Sequence, residues 1–418
     1  MNDADVLPSP RTWAGHRSYG GRGLVIPRTL EELRAVVTSG APVRALGSRH
    51  SFNDLADSPG LLVSLEALAS EPVLAPDGAT VTVSGATRYG TLGPWLHERG
   101  AGLDALASLP HISVAGAVAT GTHGSGDAIG SLASCVTGVR LMTADGNLAT
   151  LRRGDADFPG AVVALGALGV VVDLDLAVRP TYDVAQTVVD DVPLGGVLAD
   201  LDAVWSSATS VSAFTRWDGA CALWRKHRVD AGPVRDLSGL GGRPADGPRH
   251  PIAGVDAAAC TEQGGVPGPW FDRLPHFRLE FTPSAGAELQ SEYLLPREVA
   301  AEAIAAAAPV LADVRDLVLV SEIRSVAADD LWLSGEQGRD TIGLHTTWRQ
   351  DVPAVTAVLA RLEEVLAPYD ARPHWGKLFV RRDVGSLYPR WDDARELIAS
   401  YDPRGVFSGP FLERVGLR

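Results

Sequence analysis

The stretch Arg44-Ala-Leu-Gly-Ser-Arg-His-Ser-Phe-Asn53 decides how the fold is interpreted, because a short apolar strand runs into a glycine turn with His50 at its tip. Backbone N–H groups of the turn at Gly47, Ser48 and Arg49 can converge on an anion. The stretch therefore favours a phosphate-bearing cofactor as its ligand. On its own it is also consistent with a loop histidine that only forms hydrogen bonds.

The first half of the chain alternates between strand and helix patterns around this turn. Thr29 is a suitable N-cap for an amphipathic helix over residues 29–37, and a second helix is predicted over 89–99, ending at Gly100. The predicted strands cover residues 19–27, 43–47, 60–65, 79–85, 138–142, 148–152 and the end of the run 165–176. This pattern indicates an α+β fold.

The pattern changes beyond Pro180, where a second domain with its own sheet is predicted. Residues 230–268 are dense in Gly, Pro and Asp and are interpreted as long loops. The elements predicted in this half are helices over 200–206, 299–310 and 389–401 and strands over 277–281, 317–324 and 341–348. We predict one domain over residues 1–180, to which the C-terminal segment 376–418 returns, and a second domain over 181–375.

Composition excludes several classes of function. A chain of 418 residues is longer than one core usually supports, and its net charge of −14 disfavours nucleic acid or anionic lipid as a partner. The three cysteines, Cys135, Cys221 and Cys260, have neither disulfide-framework nor zinc-ligand spacing. The N-terminus lacks a signal pattern and no run of eighteen apolar residues occurs, so we expect a cytoplasmic protein without a metal site or membrane span. Lysine occurs only at Lys226 and Lys377, so the role of each lysine needs an explanation.

A second unusual segment covers residues 107–126, Ala-Ser-Leu-Pro-His-Ile-Ser-Val-Ala-Gly-Ala-Val-Ala-Thr-Gly-Thr-His-Gly-Ser-Gly. It contains four glycines and several hydroxyl groups but no Asp, Glu, Lys or Arg. Glycine lets a backbone approach a ligand closely, and the hydroxyl groups can bind a phosphate or a heteroaromatic ring. The segment therefore predicts a second contact with the cofactor, although the glycines alone would also fit tight turns.

Motifs spread over the whole chain resemble one family. They are Gly47-Ser-Arg-His-Ser-Phe-Asn53, Ala107-Ser-Leu-Pro-His-Ile-Ser-Val-Ala-Gly116, Thr120-Gly-Thr-His-Gly-Ser-Gly126, Leu165-Gly-Ala-Leu-Gly169, Glu322-Ile-Arg324, His345-Thr-Thr-Trp348 and His374-Trp-Gly-Lys377. Together they resemble the vanillyl-alcohol oxidase type of flavoproteins, and within it the branch that oxidises alditols such as xylitol. The resemblance implies an FAD-binding domain built from the N-terminal part and the C-terminal tail, and a substrate (cap) domain built on an antiparallel sheet.

The resemblance also implies which residues hold FAD. It places a covalent bond between the flavin and His50. The sequence departs from the family at Arg49, where relatives commonly have glycine. If the backbone at Arg49 needs a positive φ, arginine there is strained by about 1–2 kcal/mol unless a phosphate contact offsets the strain. The full set of implied cofactor contacts is Ala45, Leu46, Gly47, Ser48, Arg49, His50, Ser51, Ser108, Ser113, Gly116, Thr120, Gly121, Thr122, His123, Val171 and Lys377.

The reaction implied by the resemblance is oxidation of the terminal CH–OH of a polyol such as xylitol or sorbitol to the aldehyde, with O2 reduced to H2O2. Arg324 and Lys377 are assigned to the reacting hydroxyl, and Ser108, Glu322 and Thr347 to further substrate hydroxyls. Residues two apart on a strand share a face, so the pairs 322/324 and 345/347 can line one pocket. His345 is either a general base or a structural residue. Without the family match, Glu322 and Arg324 would be interpreted as a surface ion pair and Lys377 as a solvated lysine.

Other functions stay open at this point. A sugar-lactone (aldonolactone) oxidase or dehydrogenase shares the fold and the His-Trp-Gly-Lys stretch, and the choice of O2 as acceptor is not fixed. A non-catalytic sugar- or nucleotide-binding protein would use the glycine-rich segments for packing alone. A NAD-linked dehydrogenase is disfavoured because no Gly-x-Gly-x-x-Gly opens a helix after a strand. We expect a monomer whose partners are a small polyol and O2.

Overall fold

A computed structural model describes residues 6–281 and 287–418 and confirms the α+β fold class. The strands of these residues are, in chain order, β1 Gly23–Val25, β2 Val43–Ala45, β3 Leu61–Val63, β4 Val73–Leu74, β5 Thr80–Ser84, β6 Ala101–Gly102, β7 Val136–Met142, β8 Leu148–Arg152, β9 Val170–Ala177, β10 Arg179–Pro180, β11 Asp183–Pro193, β12 Ser210–Thr215, β13 Ala220–Arg228, β14 Arg243–Pro244, β15 Gly268–Pro269, β16 Glu288–Pro296, β17 Val318–Val326, β18 Thr341–Arg349 and β19 Arg372–Pro373.

Helices flank these strands. The α-helices of the described residues are α1 Leu30–Val37, α2 Tyr89–His97, α3 Val114–Ala119, α4 Phe158–Val162, α5 Leu194–Ala199, α6 Leu201–Trp205, α7 Ala300–Asp313, α8 Val352–Leu366, α9 Trp391–Tyr401 and α10 Pro410–Val415. The predicted cap of α1 is confirmed, because the Glu32 backbone N–H donates to Thr29 Oγ1 at 3.1 Å. This bond satisfies one of the N–H groups that a helix start leaves without a partner. None of the helices in the described part of the chain is long and apolar enough to cross a membrane.

The first half of the chain forms two sheets. β1, β3 and β2 pair in parallel in that order, while β4, β5, β9, β7 and β8 form an antiparallel sheet. β9 carries the sequence Val-Val-Val-Asp-Leu-Asp-Leu-Ala, in which every second side chain is buried. This alternation is the period of two that a half-buried strand requires. The antiparallel pair β6 and β10 lies outside both sheets.

The strands between residues 183 and 373 form a large antiparallel sheet, as predicted for the substrate domain. Its order is β14-β11-β13-β12-β17-β18-β16-β19, and β15 also pairs with β11. On one face, Leu289, Ile323 and Leu344 pack in a buried cluster with residues of α7 and α8. On a strand, the neighbours of these residues point to the opposite face. Polar side chains at 290, 292, 322, 324, 345 and 347 therefore share that second face.

The C-terminal part of the chain contacts the opening stretch and the residue that follows it. The backbone N–H of Phe52 donates to Gly376 O at 2.8 Å, and Asn53 Nδ2 donates to the carbonyls of Trp375 and Lys377 at 2.7 and 2.8 Å. Arg414 in α10 forms two hydrogen bonds to Asp54. These contacts fix the turn around His50 against the C-terminal part of the chain.

Two local predictions need correction. The strand predicted over 277–281 is wrong, since only an isolated bridge between Phe277 and Cys260 occurs there. The backbone N–H groups of His276 and Phe277 donate to Ser108 O at 3.1 and 3.2 Å, and that of Arg278 donates to Ala259 O at 2.9 Å. Residues 279–280 form a turn, so this short pairing does not continue as a strand. The cofactor segment 107–126 also contains α3, for which no helix was predicted.

Candidate active site

A cavity of about 340 Å³ lies between the stretch 44–52, the segment 107–123 and the polar face of the large sheet. This volume is in the range of small-molecule sites. All predicted cofactor residues except Gly121 line it, and so do the predicted catalytic and substrate residues, namely Ala45, Leu46, Gly47, Ser48, Arg49, His50, Ser51, Ser108, Ser113, Gly116, Thr120, Thr122, His123, Val171, Glu322, Arg324, His345, Thr347 and Lys377. Gly121 instead follows α3 with a left-handed φ of 64°, which is a typical role for glycine after a helix.

The turn at the tip of the opening stretch is strained at Arg49, whose φ is 65°. A side chain in the left-handed region costs about 1–2 kcal/mol, so a glycine would fit this position without strain. The Arg49 side chain is exposed and donates a long hydrogen bond of 3.5 Å to Arg11 O. The positive φ that the sequence analysis considered at Arg49 is therefore present.

His50 stacks on Trp13, with 4.7 Å between ring centroids and 23° between planes. The Trp13 backbone N–H donates to Arg49 O at 2.8 Å, so the N-terminal segment holds the strained turn from outside. Burial, together with the positive charge of Lys377, lowers the pKa of His50 to about 3. Its imidazole is therefore neutral near pH 7 and keeps a nitrogen lone pair.

The floor of the cavity fits a bound cofactor. Ser113 Oγ is buried and has no hydrogen-bond partner within the described ranges. A Cβ added at Gly47 would lie 2.5 Å from this oxygen, and one at Gly116 would lie 2.8 Å from it. The two glycines thus leave a polar, side-chain-free surface around a hydroxyl that lacks a partner. Buried polar groups are normally satisfied, so a ligand group at Ser113 would complete the site.

On the polar face of the sheet, three titratable side chains lie in one row across neighbouring strands. Across β17, β18 and β16, Glu322 pairs with His345, and His345 pairs with Glu292. In the next row, Arg324 pairs with Gly343. A Cβ at Gly343 would lie 3.3 Å from Glu292 Oε1, so the missing side chain leaves room for Arg324 to reach that carboxylate.

Glu292 is the centre of this arrangement and was missed by the sequence analysis. Its side chain is only 1% exposed, and Oε1 accepts a 2.6 Å hydrogen bond from Arg324 Nη2. His123 Nε2 lies 3.2 Å from the same oxygen, and His345 Nδ1 lies 3.5 Å from Oε2. Burial alone would raise the pKa of Glu292, but Arg324 and the two histidines hold it well below its ordinary value. The carboxylate is therefore charged.

His123 lies beside Glu292 with an oxygen near each of its ring nitrogens. Its Nδ1 lies 2.9 Å from Gly124 O and its Nε2 faces the carboxylate, so both ring nitrogens face acceptors. Burial lowers the pKa of His123, but Glu292 outweighs burial and raises it. When the ring is protonated, both nitrogens can donate.

His345 differs from His123, because burial lowers its pKa. The neutral ring has one N–H, and Nδ1 faces the charged Glu292 while Nε2 lies 3.2 Å from Thr347 Oγ1. A proton on Nδ1 satisfies both contacts, since Nε2 then accepts from the Thr347 hydroxyl. In this tautomer the Nε2 lone pair points to Thr347 Oγ1 and becomes free when that hydroxyl donates elsewhere.

Lys377 approaches the cavity from the C-terminal segment. Its Nζ donates to Gln290 Oε1 and lies 5.1 Å from the ring centroid of Phe52. Burial lowers the pKa of Lys377 to about 8, and Glu292 opposes this shift. Lys377 and Arg324 thus bring two cations to one polar surface.

Three further residues of this region were missed or left unassigned by the sequence analysis: Glu292, Gln290 and His276. Glu292 and Gln290 lie on β16, a strand that the sequence analysis did not predict, although polar residues at 288, 290 and 292 alternate there with others. His276 was not among the predicted site residues, yet its Nε2 lies 2.9 Å from Glu322 Oε1. No local sequence signal identifies this last contact.

Two family models match the chain. One, described as an FAD binding domain, matches residues 22–152, and one described as D-arabinono-1,4-lactone oxidase matches residues 287–415. The first range contains the turn with His50 and the glycine-punctuated segment. The second contains the row of Glu292, Glu322 and His345.

Relatives extend over nearly the whole chain. An alditol oxidase from a Streptomyces species is 46% identical, covering 96% of this chain and 97% of the relative. An L-gulono-1,4-lactone dehydrogenase from Mycobacterium tuberculosis is 29% identical, covering 98% and 99%. A solved structure of a solvent-stable cholesterol oxidase superposes with a TM-score of 0.79 at 16% identity, covering 98% of both chains, which shows that the fold is shared.

Proposed function

We propose a function from one premise, which is that the chain belongs to the alditol oxidases of the vanillyl-alcohol oxidase flavoprotein family. In this proposal it uses FAD to oxidise the terminal CH–OH of a polyol such as xylitol or sorbitol. The products are the aldehyde and, from O2, hydrogen peroxide. The observation that carries this proposal is the row of Glu322, His345 and Glu292, which opens with Arg324 and Lys377 onto a cavity whose floor fits the cofactor.

The residues that would hold FAD are the turn 45–51 and the floor formed by Ser113, Gly116, Thr120 and Thr122. When bound, FAD accepts the two electrons of the alcohol, together with the hydrogen on carbon, and passes the electrons to O2. The chain must then remove the hydroxyl proton and stabilise the negative charge that develops on oxygen.

His345 removes this proton in our proposal. Its Nε2 lone pair, which the Thr347 hydroxyl occupies at 3.2 Å, takes the proton once that hydroxyl turns to the substrate. Glu292 faces Nδ1–H at 3.5 Å, so the imidazolium that forms is stabilised by the carboxylate. Arg324 and Lys377 supply positive charge beside the oxygen as the proton leaves. Fixed cations in a site closed to water stabilise such a charge more than water does, because they need not reorient.

The substrate is a polyol because the site has many groups that require hydroxyl partners. Glu322, Thr347 and Ser108 line the same cavity as the catalytic cations. A buried acceptor or donor left without a partner costs about 1–3 kcal/mol, so an apolar alcohol would bind poorly. A screen of polyols and aldonolactones for peroxide tests the proposal. Peroxide from xylitol or sorbitol is expected, and peroxide from lactones alone would contradict it.

A sugar-lactone oxidase or dehydrogenase is the second candidate. It is supported by the match of residues 287–415 to a model described as D-arabinono-1,4-lactone oxidase. The same screen separates the two reactions, and a parallel assay with an artificial electron acceptor separates an oxidase from a dehydrogenase. We give preference to polyols because the relative with the higher identity is an alditol oxidase.

We further propose that FAD is bound covalently through His50. The neutral imidazole, with its pKa lowered to about 3, keeps a nucleophilic nitrogen on the cavity wall, and Trp13 fixes the ring by stacking. Acid-precipitated protein should remain yellow after washing, and His50→Ala should release the flavin. Colourless wild-type precipitate, or retained flavin in the variant, would contradict the attachment.

The domain division at residue 180, with residues 376–418 returning to the first domain, stays a proposal. It is supported by the burial of Phe411 and Leu412 in one cluster with residues of the first half, such as Val139 and Leu174. Cytoplasmic location and the monomeric state also stay predictions, which cell fractionation and sedimentation would test.

A further inference from the structure

A buried chain of polar groups lies behind Glu322. Lys226, in β13, is 2% exposed and its Nζ donates to Leu274 O at 2.5 Å, Pro275 O at 3.0 Å and His276 Nδ1 at 3.1 Å. An ammonium group has three protons, and these three acceptors use all of them. Lys226 therefore assigns the acceptor role to His276 Nδ1.

The acceptor role of His276 Nδ1 determines the hydrogen bond that His276 makes to Glu322. Since Nδ1 accepts, the proton of the neutral ring is on Nε2, which donates to Glu322 Oε1 at 2.9 Å. Phe214 and Trp224 contact the ring edge-on at centroid distances of 5.3 and 5.4 Å, so it has little freedom to turn. With Oε1 engaged, Oε2 is the oxygen that a hydroxyl in the cavity can reach.

We propose that Lys226 and His276 are positioning residues, which hold Glu322 as a charged acceptor for a polyol hydroxyl away from the reacting carbon. This inference rests on the proposed function. Neither residue needs to contact the substrate, because both act through the carboxylate. Their effect should therefore appear in polyol binding more than in the rate of the chemical step.

The charges of the neighbouring groups agree with this geometry. Burial and the adjacent Lys226 lower the pKa of His276 to about 4, which keeps its ring neutral. Burial alone would raise the pKa of Glu322, but Arg324 and His276 hold it below its ordinary value. Burial lowers the pKa of Lys226 to about 7, while Glu322 opposes the shift and Arg324 adds to it. The ammonium form, which has the three protons, therefore dominates below about pH 7.

Removal of Lys226 would release the constraint on the imidazole. His276 could then carry its proton on Nδ1 and turn the Nε2 lone pair toward Glu322, which would repel the carboxylate. Glu322 would rotate or take up a proton, and in both cases the polyol loses a charged acceptor. A hydrogen bond to a charged group contributes about 1.5–3 kcal/mol, so roughly a tenfold or larger loss of affinity is expected.

The test compares Lys226→Met, His276→Phe and His276→Gln in the flavin-loaded protein. A glutamine can accept from Lys226 through its oxygen and donate to Glu322 through its nitrogen, so it should preserve the function of the histidine. We expect the KM for xylitol to rise about tenfold in Lys226→Met and His276→Phe, with kcat changed less than about threefold, and to recover in His276→Gln. A short 1,2-diol, which lacks further hydroxyls, should show no such rise.

Arg225→Met is the matched control, because Arg225 is the neighbouring cation on the same strand and donates to Ser207 O and Arg235 O, outside this network. It should leave the KM for xylitol unchanged. An unchanged KM in both Lys226→Met and His276→Phe would overturn the inference. So would an equal rise for xylitol and the diol.

A double-mutant cycle tests the link without any substrate. Lys226→Met should lower the unfolding midpoint more when Glu322 is present than in a Glu322→Gln background. The reason is that the Glu322→Gln background lacks the carboxylate charge that Lys226 stabilises through His276. Equal shifts would contradict the link. If the cycle shows coupling but wild-type protein makes no peroxide from any polyol, the proposed reaction fails while the link between Lys226 and Glu322 is supported.

Discussion

Glu292→Gln is the substitution that most directly tests the electrostatic account of the site. The carboxylate is buried and accepts from Arg324 Nη2 at 2.6 Å. With their charge centres about 4 Å apart and an effective dielectric constant near 20, the two groups attract by about 4 kcal/mol. Glutamine retains a neutral hydrogen bond worth about 1 kcal/mol, so a loss of about 3 kcal/mol of unfolding free energy remains.

The pH dependence of this loss has a definite sign. The pKa of Glu292 lies well below its ordinary value in the folded protein, so its contribution is fully present above the unfolded pKa, near 4.3. It disappears only as the pH falls through the lower, folded pKa. The difference between wild type and Glu292→Gln should therefore be constant from about pH 6 to pH 8 and shrink in acid.

Chemical denaturation of the holoprotein measures this difference, with Glu288→Gln as the control. Glu288 is also buried on β16, but its hydrogen bond comes from the neutral Gln290 side chain at 2.6 Å, so its loss should be under about 1 kcal/mol. Because Arg324 loses its strongest partner, kcat should fall roughly 100-fold in Glu292→Gln. A Glu292→Gln protein within about 1 kcal/mol of wild type would refute the reasoning.

Three further predictions follow from single positions. Arg49→Gly should change the unfolding free energy by less than about 1 kcal/mol, because relief of the φ of 65° and the larger chain entropy of glycine oppose each other; a loss above about 2 kcal/mol in denaturation would contradict this. Gly343→Ala should cost about 1–2 kcal/mol and lower kcat, because its Cβ would lie 3.3 Å from Glu292 Oε1; wild-type stability and rate would count against it. Burial and Glu336 raise the pKa of Asp329 to about 7, so its charge costs stability as the pH rises above the unfolded value near 4. Asp329→Asn should therefore raise Tm at about pH 8 but not at about pH 4, and equal shifts would contradict this sign.

Local patterns predicted the parts of the fold that depend on local chemistry. The helix capped by Thr29 and the alternation of Glu322 with Arg324 and of His345 with Thr347 follow from periods that a sequence displays directly. The segment 277–281 was predicted wrongly as a strand, because its apolar residues match the pattern while the N–H groups of Phe277 and Arg278 donate to Ser108 O and Ala259 O. Propensity does not report such distant partners.

The rest of the site depends on pairing between distant strands. Glu292 meets His345 only because β16 pairs with β18, and its contact with Arg324 further requires the space left by Gly343. Lys226 and His276 are 50 residues apart and meet beside a third element that carries Glu322. Register between distant strands is set by packing of the whole sheet, so the sequence revealed the type of chemistry but not its central carboxylate.

The most direct test of the central claim is a single turnover of the purified yellow protein with xylitol in the absence of air. The account predicts that the flavin colour bleaches on mixing and returns when O2 is admitted, with one hydrogen peroxide and one aldehyde formed per flavin. Flavin that stays oxidised with every polyol, but bleaches with an aldonolactone, would contradict it.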